Sequence, residues 1–316
     1  MQKRIVFVVV AMLVLLMIVV GMLIPATVEE TIQISAPFQN ITSTVLQPER
    51  WKQWHPLFEK SDTGLINHQS IAGQPTLVSG KKTITVKEQS PFGIRIVETG
   101  GYRELHYSLN VIPQTDETVY VVALRKKVNL LKAVYRSIIR KNENNRDPLL
   151  TALKQFIETP EKYYGFPITF GPVVDTIVVS QRKLIAEENL YLTVSEMFEE
   201  LQHFIEKEKL TNSGHPMLYT SKRGNDSILI MTGMPVDRIQ KNDGGFMFQT
   251  MPKGRMLIGH FEGNHQSIGK LIDVMRQYIS DYSLQPAALP YQKFLDHAIP
   301  ASPASMVKCD VYYPVF

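Results

Sequence analysis

The sequence lacks most of the motifs that mark the common catalytic and metal-binding classes. Its single cysteine, Cys309, excludes an internal disulfide and any CxxC redox or zinc motif. G-x-S-x-G, G-x-G-x-x-G, H-E-x-x-H and a phosphate-binding loop do not occur. The net charge of +4 is too small to indicate a nucleic-acid-binding protein without a clear basic patch. With 44% hydrophobic residues among 316, the chain has enough apolar side chains for about two globular domains.

The longest apolar run lies at the N-terminus. Residues 5–24 carry no charge and, as a helix, would rise about 30 Å, which is the thickness of the hydrocarbon core of a bilayer. Lys3 and Arg4 precede this run and two glutamates follow it, so the positive-inside preference would keep the N-terminus cytoplasmic. A cleaved signal peptide is the alternative, but the run exceeds the usual length of about 7–15 residues and lacks an A-x-A site. We therefore expect residues 1–26 to form an uncleaved, single-pass membrane anchor with the remaining domains outside the cytoplasm.

Strand-like patterns dominate residues 27–160. Four stretches between residues 82 and 124 alternate apolar and polar side chains. The region opens with Ile34-Ser35-Ala36-Pro37 and the segment Trp51-Lys52-Gln53-Trp54-His55-Pro56, and it closes with a helix that starts at Asp147-Pro148. This order resembles the START-like helix-grip superfamily, also called SRPBCC or polyketide cyclase/dehydrase-like. The resemblance implies a curved antiparallel sheet that grips a C-terminal helix, with an apolar cavity between them.

Two features of this region have a structural and a functional interpretation. Trp51, Trp54 and Phe58 could line a cavity or simply fill the core. Residues 125–141 contain no acid and interleave basic with apolar side chains, which is typical of a solvated helix face and also of a helix on an anionic membrane. Prolines and glycines then predict a linker at residues 161–169.

Residues 170–316 contain an internal repeat. An offset of 74 residues pairs 198–205 with 272–279 and Pro216 with Pro290, and after a short insertion Met234-Pro235-Val236 matches Tyr313-Pro314-Val315. Each copy has the pattern strand, helix, strand, strand. Because two such copies must bury their apolar faces together, we expect a pseudo-twofold axis with a cleft between them. The fold class predicted for the whole chain is therefore α+β.

This duplicated pattern resembles the GyrI-like small-molecule-binding family, also called the bacterial transcription-activator effector-binding domain. In that family an acid four residues before the terminal Pro-Val, usually a glutamate, points into a central pocket. Asp310 occupies this position, and its counterpart in the first copy is Met231, so the fold itself does not require an acid there. The resemblance implies a bacterial protein with a ligand pocket between the two copies.

A carboxylate surrounded by aromatic rings suits an amphipathic cation, because ring faces attract positive charge. We therefore expect an apolar or cationic small-molecule ligand. The predicted ligand-binding residues, chosen by repeat position and strand alternation, are Asp310, Tyr312, Tyr219, Phe246, Phe248, Tyr291 and Phe294. The alternative is that these aromatic residues only fill the core.

Three functions remain after this survey. The first is a membrane-anchored protein that sequesters or senses a small molecule, and it is favoured over an enzyme. The second is a hydrolase of small electrophilic compounds, with Asp310 as base or nucleophile and Tyr219 or Tyr291 as proton donor. The third is a transcription regulator, disfavoured because no helix-turn-helix precedes the repeat. We expect no cofactor and no nucleic-acid partner, and also no metal, because His260, Glu262 and His265 straddle a glycine turn.

Overall fold

The computed structural model describes residues 2–58, 67–71, 74–79, 81–100, 103–114, 119–139, 147–173, 175–224, 226–242, 244–251, 254–296 and 298–316. The chain divides into two compact units, Met1–Thr159 (unit 1) and Pro160–Phe316 (unit 2). Each unit combines helices with an antiparallel sheet, which confirms the predicted α+β class.

Unit 1 contains one seven-stranded sheet in the order β1-β7-β6-β5-β4-β3-β2, with every neighbouring pair antiparallel. Its elements are α1 (Gln2–Leu23), β1 (Pro25–Ser35), α2 (Phe38–Leu46), a 3-10 turn (Pro48–Gln53), β2 (Asn67–Ile71), β3 (Gln74–Ser79), β4 (Lys82–Ser90), β5 (Gly93–Gly100), β6 (Arg103–Ile112), β7 (Val119–Asn129), α3 (Leu130–Ile139) and α4 (Pro148–Glu158). The last two residues of the predicted basic segment, 140 and 141, lie outside the described residues.

The closing helix α4 begins where the sequence signals predict. The Asp147 side chain accepts a hydrogen bond of 3.1 Å from the backbone N–H of Leu149, and Pro148 occupies the first helical turn. The apolar stripe of α4 is buried against β1, which follows the predicted helix-grip order. Trp51 and Phe58 are also buried in this core.

Helix α1 corrects the predicted membrane anchor. Within the part of the chain that the structure describes, no helix combines the length and the apolarity needed to cross a bilayer. In the last turn of α1, Gly21 lies beneath the Leu131 side chain of α3. The predicted single-pass anchor over residues 1–26, with the other domains outside the cytoplasm, is therefore wrong.

Unit 2 contains one eight-stranded antiparallel sheet in the order β12-β9-β11-β10-β14-β15-β13-β8. Its elements are α5 (Pro160–Tyr164), β8 (Ile168–Pro172), β9 (Ile177–Ala186), α6 (Leu190–Lys207), β10 (Met217–Arg223), β11 (Ser227–Pro235), β12 (Met247–Thr250), β13 (Arg255–Asn264), α7 (Ile268–Asp281), β14 (Tyr291–Phe294) and β15 (Met306–Val315). The predicted linker, residues 161–169, holds most of α5 and the start of β8, so this segment is folded into unit 2.

The sheet order is symmetric about the junction of β10 and β14. The first half consists of β9, α6, β10 and β11, and the second half of β13, α7, β14 and β15. Counted outward from the junction, the strand order is β10, β11, β9 in the first half and β14, β15, β13 in the second, so equivalent strands occupy equivalent places. The apolar stripes of α6 and α7 pack on the same sheet and form the core of the unit. The repeat seen in the sequence thus corresponds to two halves of one sheet.

The outer strands are exchanged between the halves, and this exchange curls the sheet. β8 precedes the first half but pairs with β13, whereas β12 precedes the second half but pairs with β9. The step from Pro172 to Ile177, like that from Thr250 to Arg255, can span at most about 18 Å. In a flat sheet each step would have to cross six strand spacings, about 29 Å. The two ends of the sheet must therefore approach each other.

Candidate functional site

The strand register of unit 2 places a set of side chains on the sheet face opposite α6 and α7, which we call the open face. Cross-strand partners share a face, and faces alternate along a strand. The register pairs Tyr219 with Met231, Met217 with Lys293, Tyr291 with Tyr312, and Asp310 with both Lys293 and His260. All of these side chains therefore belong to the open face, because the residues between them, such as Leu218 and Val311, lie in the core under the helices.

A pocket of about 360 Å³ lies on the open face. Such a volume is at the lower end of the range found for small-molecule sites. Residues from both halves and from the curled ends of the sheet line it: Val178, Ser180, Met217, Tyr219, Met231, Thr232, Gly233, Gln249, Thr250, Met251, Ala288, Leu289, Tyr291 and Pro314. None of these residues is charged, so the pocket offers apolar surface together with hydroxyl and amide groups.

A second cavity, of about 600 Å³, shares Tyr219, Leu289 and Tyr291 with the first. It opens on the helix side, where Asp273 and Arg276 of α7 line it. The shared residues lie at the junction of the halves, where the ladder between β10 and β14 comprises only two residue pairs. The pocket and the second cavity therefore adjoin at this junction in the middle of the sheet.

Two tyrosines form the boundary between the pocket and the more polar part of the open face. The rings of Tyr291 and Tyr312 stack with centroids 5.4 Å apart and planes 8° apart. Burial raises the pKa of Tyr291, and the neighbouring charge of Asp175 raises it further. Burial likewise raises the pKa of Tyr312, with Asp310 as the next cause. Both phenols therefore remain protonated at neutral pH, which makes Tyr291 a weak proton donor for the predicted hydrolase chemistry.

Asp310, the predicted pocket acid, lies on the open face but does not line the pocket. It is 8% exposed, and its Oδ1 lies 2.8 Å from Nδ1 of His260. The Nε2 atom of the same imidazole lies 3.1 Å from Oγ1 of Thr169 on β8. The carboxylate is therefore directed along the sheet toward His260, which corrects its predicted direction into the pocket.

Sequence reasoning missed the charged pair beside this acid. Lys293 is 7% exposed, and its ammonium group binds the carboxylate of Asp175, which is also largely buried. The ammonium also lies 5.6 Å from the ring centroid of Tyr312. The repeat contains a signal for Lys293. The 74-residue offset that aligns Pro216 with Pro290 also aligns Tyr219 with Lys293, so a charged residue stands where the first copy has an aromatic one. Asp175 lies between strands, and no pattern in the sequence marks it.

Three predicted aromatic wall residues belong to the other face of the sheet. Phe246 stacks on Phe204 of α6 with centroids 4.2 Å apart, and Phe248 pairs in register with the core residue Val179. Phe294 is fully buried in the core against the helices. The assignment of Phe246, Phe248 and Phe294 to the pocket is therefore corrected, because a shift of one residue along a strand exchanges the faces.

The three residues that approached a metal pattern separate in the structure. His260 belongs to the open face, and Glu262 is exposed. His265 is buried in the turn before α7, with Nε2 2.9 Å from Gln292 Oε1 and Nδ1 3.2 Å from the Tyr191 hydroxyl. Burial lowers the pKa of His265. Among the described residues, no group of three or more His, Cys, Asp or Glu side chains converges on a common point.

Unit 1 also holds ionisable groups in its interior. His55 Nε2 lies 3.0 Å from the Tyr107 hydroxyl, and Lys126 pairs with Asp147 at 2.6 Å. Burial lowers the pKa of His55 to about 3, and the charge of Lys126 is the next cause. The imidazole is therefore neutral across the physiological range and forms part of the core together with Trp51, on which it stacks.

Comparison with known proteins gives likenesses among solved structures. A scan against protein-family models gives no match. A search of the curated proteins also finds no relative. Among solved structures, the chain is similar to the EcmrR C-terminal domain, with 17% identity, 48% of this chain and 98% of that chain covered, and a TM-score of 0.41. It is also similar to a START superfamily protein from Mycobacterium smegmatis, with 16% identity, 42% and 97% covered, and a TM-score of 0.27.

A third solved structure in this group is the EcmrR–DNA complex in EcmrR-RPo, with 15% identity, 58% of this chain and 76% of that chain covered, and a TM-score of 0.40. All three TM-scores are below 0.5.

Proposed function

We propose that unit 2 binds a small, largely apolar and uncharged molecule in the pocket of the open face. The observation that carries this proposal is the composition of the pocket, about 360 Å³ lined from both halves by residues without charge. Burying apolar ligand surface there is favourable by about 25 cal/mol per Å² removed from water. The GyrI-like resemblance of residues 170–316 agrees with this function, and so does the START-like resemblance of residues 27–160, which we infer to be a separate domain.

The charges near the pocket favour a neutral ligand over a cation. Asp310 is bound by His260, and Asp175 is bound by Lys293. A ligand cation would have to replace one of these partners, and it would leave the displaced group to find other hydrogen bonds. The uncharged groups that remain, the hydroxyls of Tyr219 and Tyr291 and the amide of Gln249, can orient one polar group of a neutral ligand.

The proposal is tested by filling the pocket. In Met231→Trp the larger side chain occupies space that the ligand needs, and we expect the affinity for the neutral probe N-phenyl-1-naphthylamine to fall by at least about tenfold, a loss of about 1.4 kcal/mol. Met306→Trp is the matched control, because Met306 is 66% exposed and lies outside the pocket. Equal affinities of the two variants, measured by fluorescence titration, would contradict the proposal.

A cationic probe tests the choice of ligand charge. Tetraphenylphosphonium should compete with the neutral probe weakly, and Asp310→Asn should leave that competition unchanged. Strong competition that is lost in Asp310→Asn would favour the cationic ligand predicted from the sequence.

A further inference from the structure

A row of hydrogen-bonded side chains crosses the open face of the second half and ends at the sheet edge. Asp310 lies on β15, His260 on the neighbouring strand β13, and Thr169 on the edge strand β8. The two distances that join them, 2.8 Å and 3.1 Å, are both within hydrogen-bonding range. A nucleophile, a base within reach of it and an acid that orients the base are recognised by such geometry rather than by sequence position.

The protonation of the row follows from the groups themselves. The carboxylate of Asp310 can only accept a hydrogen bond, so Nδ1 of His260 carries the hydrogen. In the neutral imidazole Nε2 is then an acceptor, and the hydroxyl of Thr169 donates to it. This is the tautomer in which an imidazole can take a proton from a hydroxyl.

The solvent exposure of the side chains increases from the acid, through the imidazole, to the hydroxyl, as a hydrolytic site requires. The Asp310 side chain is 12% exposed, the His260 side chain is 43% exposed, and Thr169 is exposed on the outermost strand. The orienting acid is thus shielded from water, while the hydroxyl is open to a substrate. The backbone N–H of His260 donates to the backbone carbonyl of Pro167. Hydrogen-bonded and non-hydrogen-bonded pairs alternate along an antiparallel ladder, so the N–H groups of Ile168 and Phe170 point away from β13. These groups flank Thr169 along the outer side of β8, the last strand in the order of the described sheet.

We propose that Thr169, His260 and Asp310 form a hydrolytic site for small, activated carboxylic esters. The Thr169 oxygen bonds to the acyl carbon while its proton passes to Nε2 of His260, and the imidazolium, stabilised by Asp310, returns that proton to the leaving alcohol as the ester bond breaks. Water then gives a proton to His260 and its oxygen to the acyl carbon. The Thr169 oxygen leaves with that proton, and the carboxylic acid is released.

This activity differs from the hydrolase predicted from the sequence, in which Asp310 is the base or nucleophile and Tyr219 or Tyr291 donates the proton. Here Asp310 is a positioning residue, and no tyrosine takes part. The inference also stands apart from ligand binding in the pocket, because none of the three residues lines that pocket. Failure of one proposal therefore leaves the other intact.

The experiment is hydrolysis of p-nitrophenyl acetate by the full chain. We expect Thr169→Ala and His260→Gln each to lower kcat/KM by about 100-fold or more, and Asp310→Asn to lower it by at least about tenfold. Thr169→Ser should retain activity, because it keeps the hydroxyl, and a purely structural role of the Thr169 methyl group would not give that result. Thr211→Ala and His203→Gln are matched controls at exposed positions, and they should leave the rate unchanged.

Covalent capture gives a second readout that does not depend on turnover. A fluorophosphonate should add one phosphonyl group to Thr169, located by peptide mass spectrometry, and the adduct should not form in His260→Gln. Thermal unfolding of each variant confirms that it is folded. Equal rates for Thr169→Ala and Thr211→Ala, or an adduct at another residue, would overturn the proposal.

Discussion

The two halves of unit 2 share one topology but present different chemistry on the open face. The cross-strand pair Pro235 and Val178 of the first half is equivalent to the pair Pro314 and Met256 of the second half, and this equivalence aligns the two registers. The positions that then correspond, in order across the sheet, are Tyr219 and Lys293, Met231 and Asp310, and Arg182 and His260. The first half thus offers Tyr219 and Met231 beside the exposed Arg182, whereas the second half offers a hydrogen-bonded row of ionisable groups.

This difference shows which features the fold requires and which it only permits. Most positions under the helices are apolar in both halves, because they form one continuous core, and Thr232 and Gln292 are polar exceptions. The open-face positions have no such constraint, since Met231 is accommodated where the other copy has Asp310. Charge on the open face of the second half is therefore a property of these residues and not of the architecture.

The largest expected effect compares equivalent positions of the two halves on the helix side of the sheet. Phe294→Ala should lower the free energy of unfolding by about 4 kcal/mol, because it removes a fully buried aromatic ring from the core. Its counterpart in the first half, Thr220, is half-buried, and Thr220→Ala should cost less than about 1 kcal/mol. Urea unfolding measures both, and equal losses would show that Phe294 does not pack as described.

The next effect tests the buried charge that distinguishes the second half. Lys293→Met leaves the carboxylate of Asp175 buried without its cation, and we expect a loss of about 3 kcal/mol. Adding Asp175→Asn to that variant should restore most of the loss. Arg276→Met is the control, because it breaks an exposed pair with Asp273 and should cost at most about 1 kcal/mol. A loss as small as that of the control would mean that the buried pair contributes no more than a surface pair.

The smallest effect is a difference in pH dependence between the halves. The turn before α7 begins with the buried His265, whereas the turn before α6 begins with the exposed Glu187. Burial lowers the pKa of His265 in the folded state, so the unfolded chain binds its proton first as the pH falls. Stability from this group is therefore present above about pH 6.5 and is lost as the pH falls toward the folded value. His265→Gln should reduce the loss of stability between pH 7 and 5.

Urea midpoints across this pH range measure the change. His203→Gln, at an exposed position on α6, should keep the dependence of the unchanged protein. An identical pH dependence in the His203 and His265 variants would contradict the assignment.

Part of this architecture could be predicted from the sequence because it depends on periodic burial. The repeat, the fold class and the equivalence of Met231 and Asp310 followed from apolar patterns and from the matching proline-valine pairs. The alignment of the first strands was less accurate: the register relates Val178 to Met256, an offset of 78 residues rather than 74. The difference has a physical origin, since α6 is 18 residues long and α7 is 14, so the first half contains about one additional helical turn.

The remainder could not be predicted because it depends on contacts between distant segments. Alternation alone does not state which face of a short strand is buried, and β12 has four residues, so Phe246 and Phe248 were assigned to the open face. The Asp175 partner of Lys293 lies 118 positions earlier in the chain. The hydrogen bond from Thr169 to His260 likewise requires the exchange of β8, which no local pattern reveals.

That exchange of outer strands also determines when the protein can fold during its synthesis. When the first half has left the ribosome, β9 still has a bare edge, because its outer neighbour is encoded downstream at Met247–Thr250. β8, made at the beginning of the unit, must meanwhile wait for β13. Neither half can close as an independent folding nucleus, and a nascent chain truncated before residue 250 would expose an unpaired strand to aggregation.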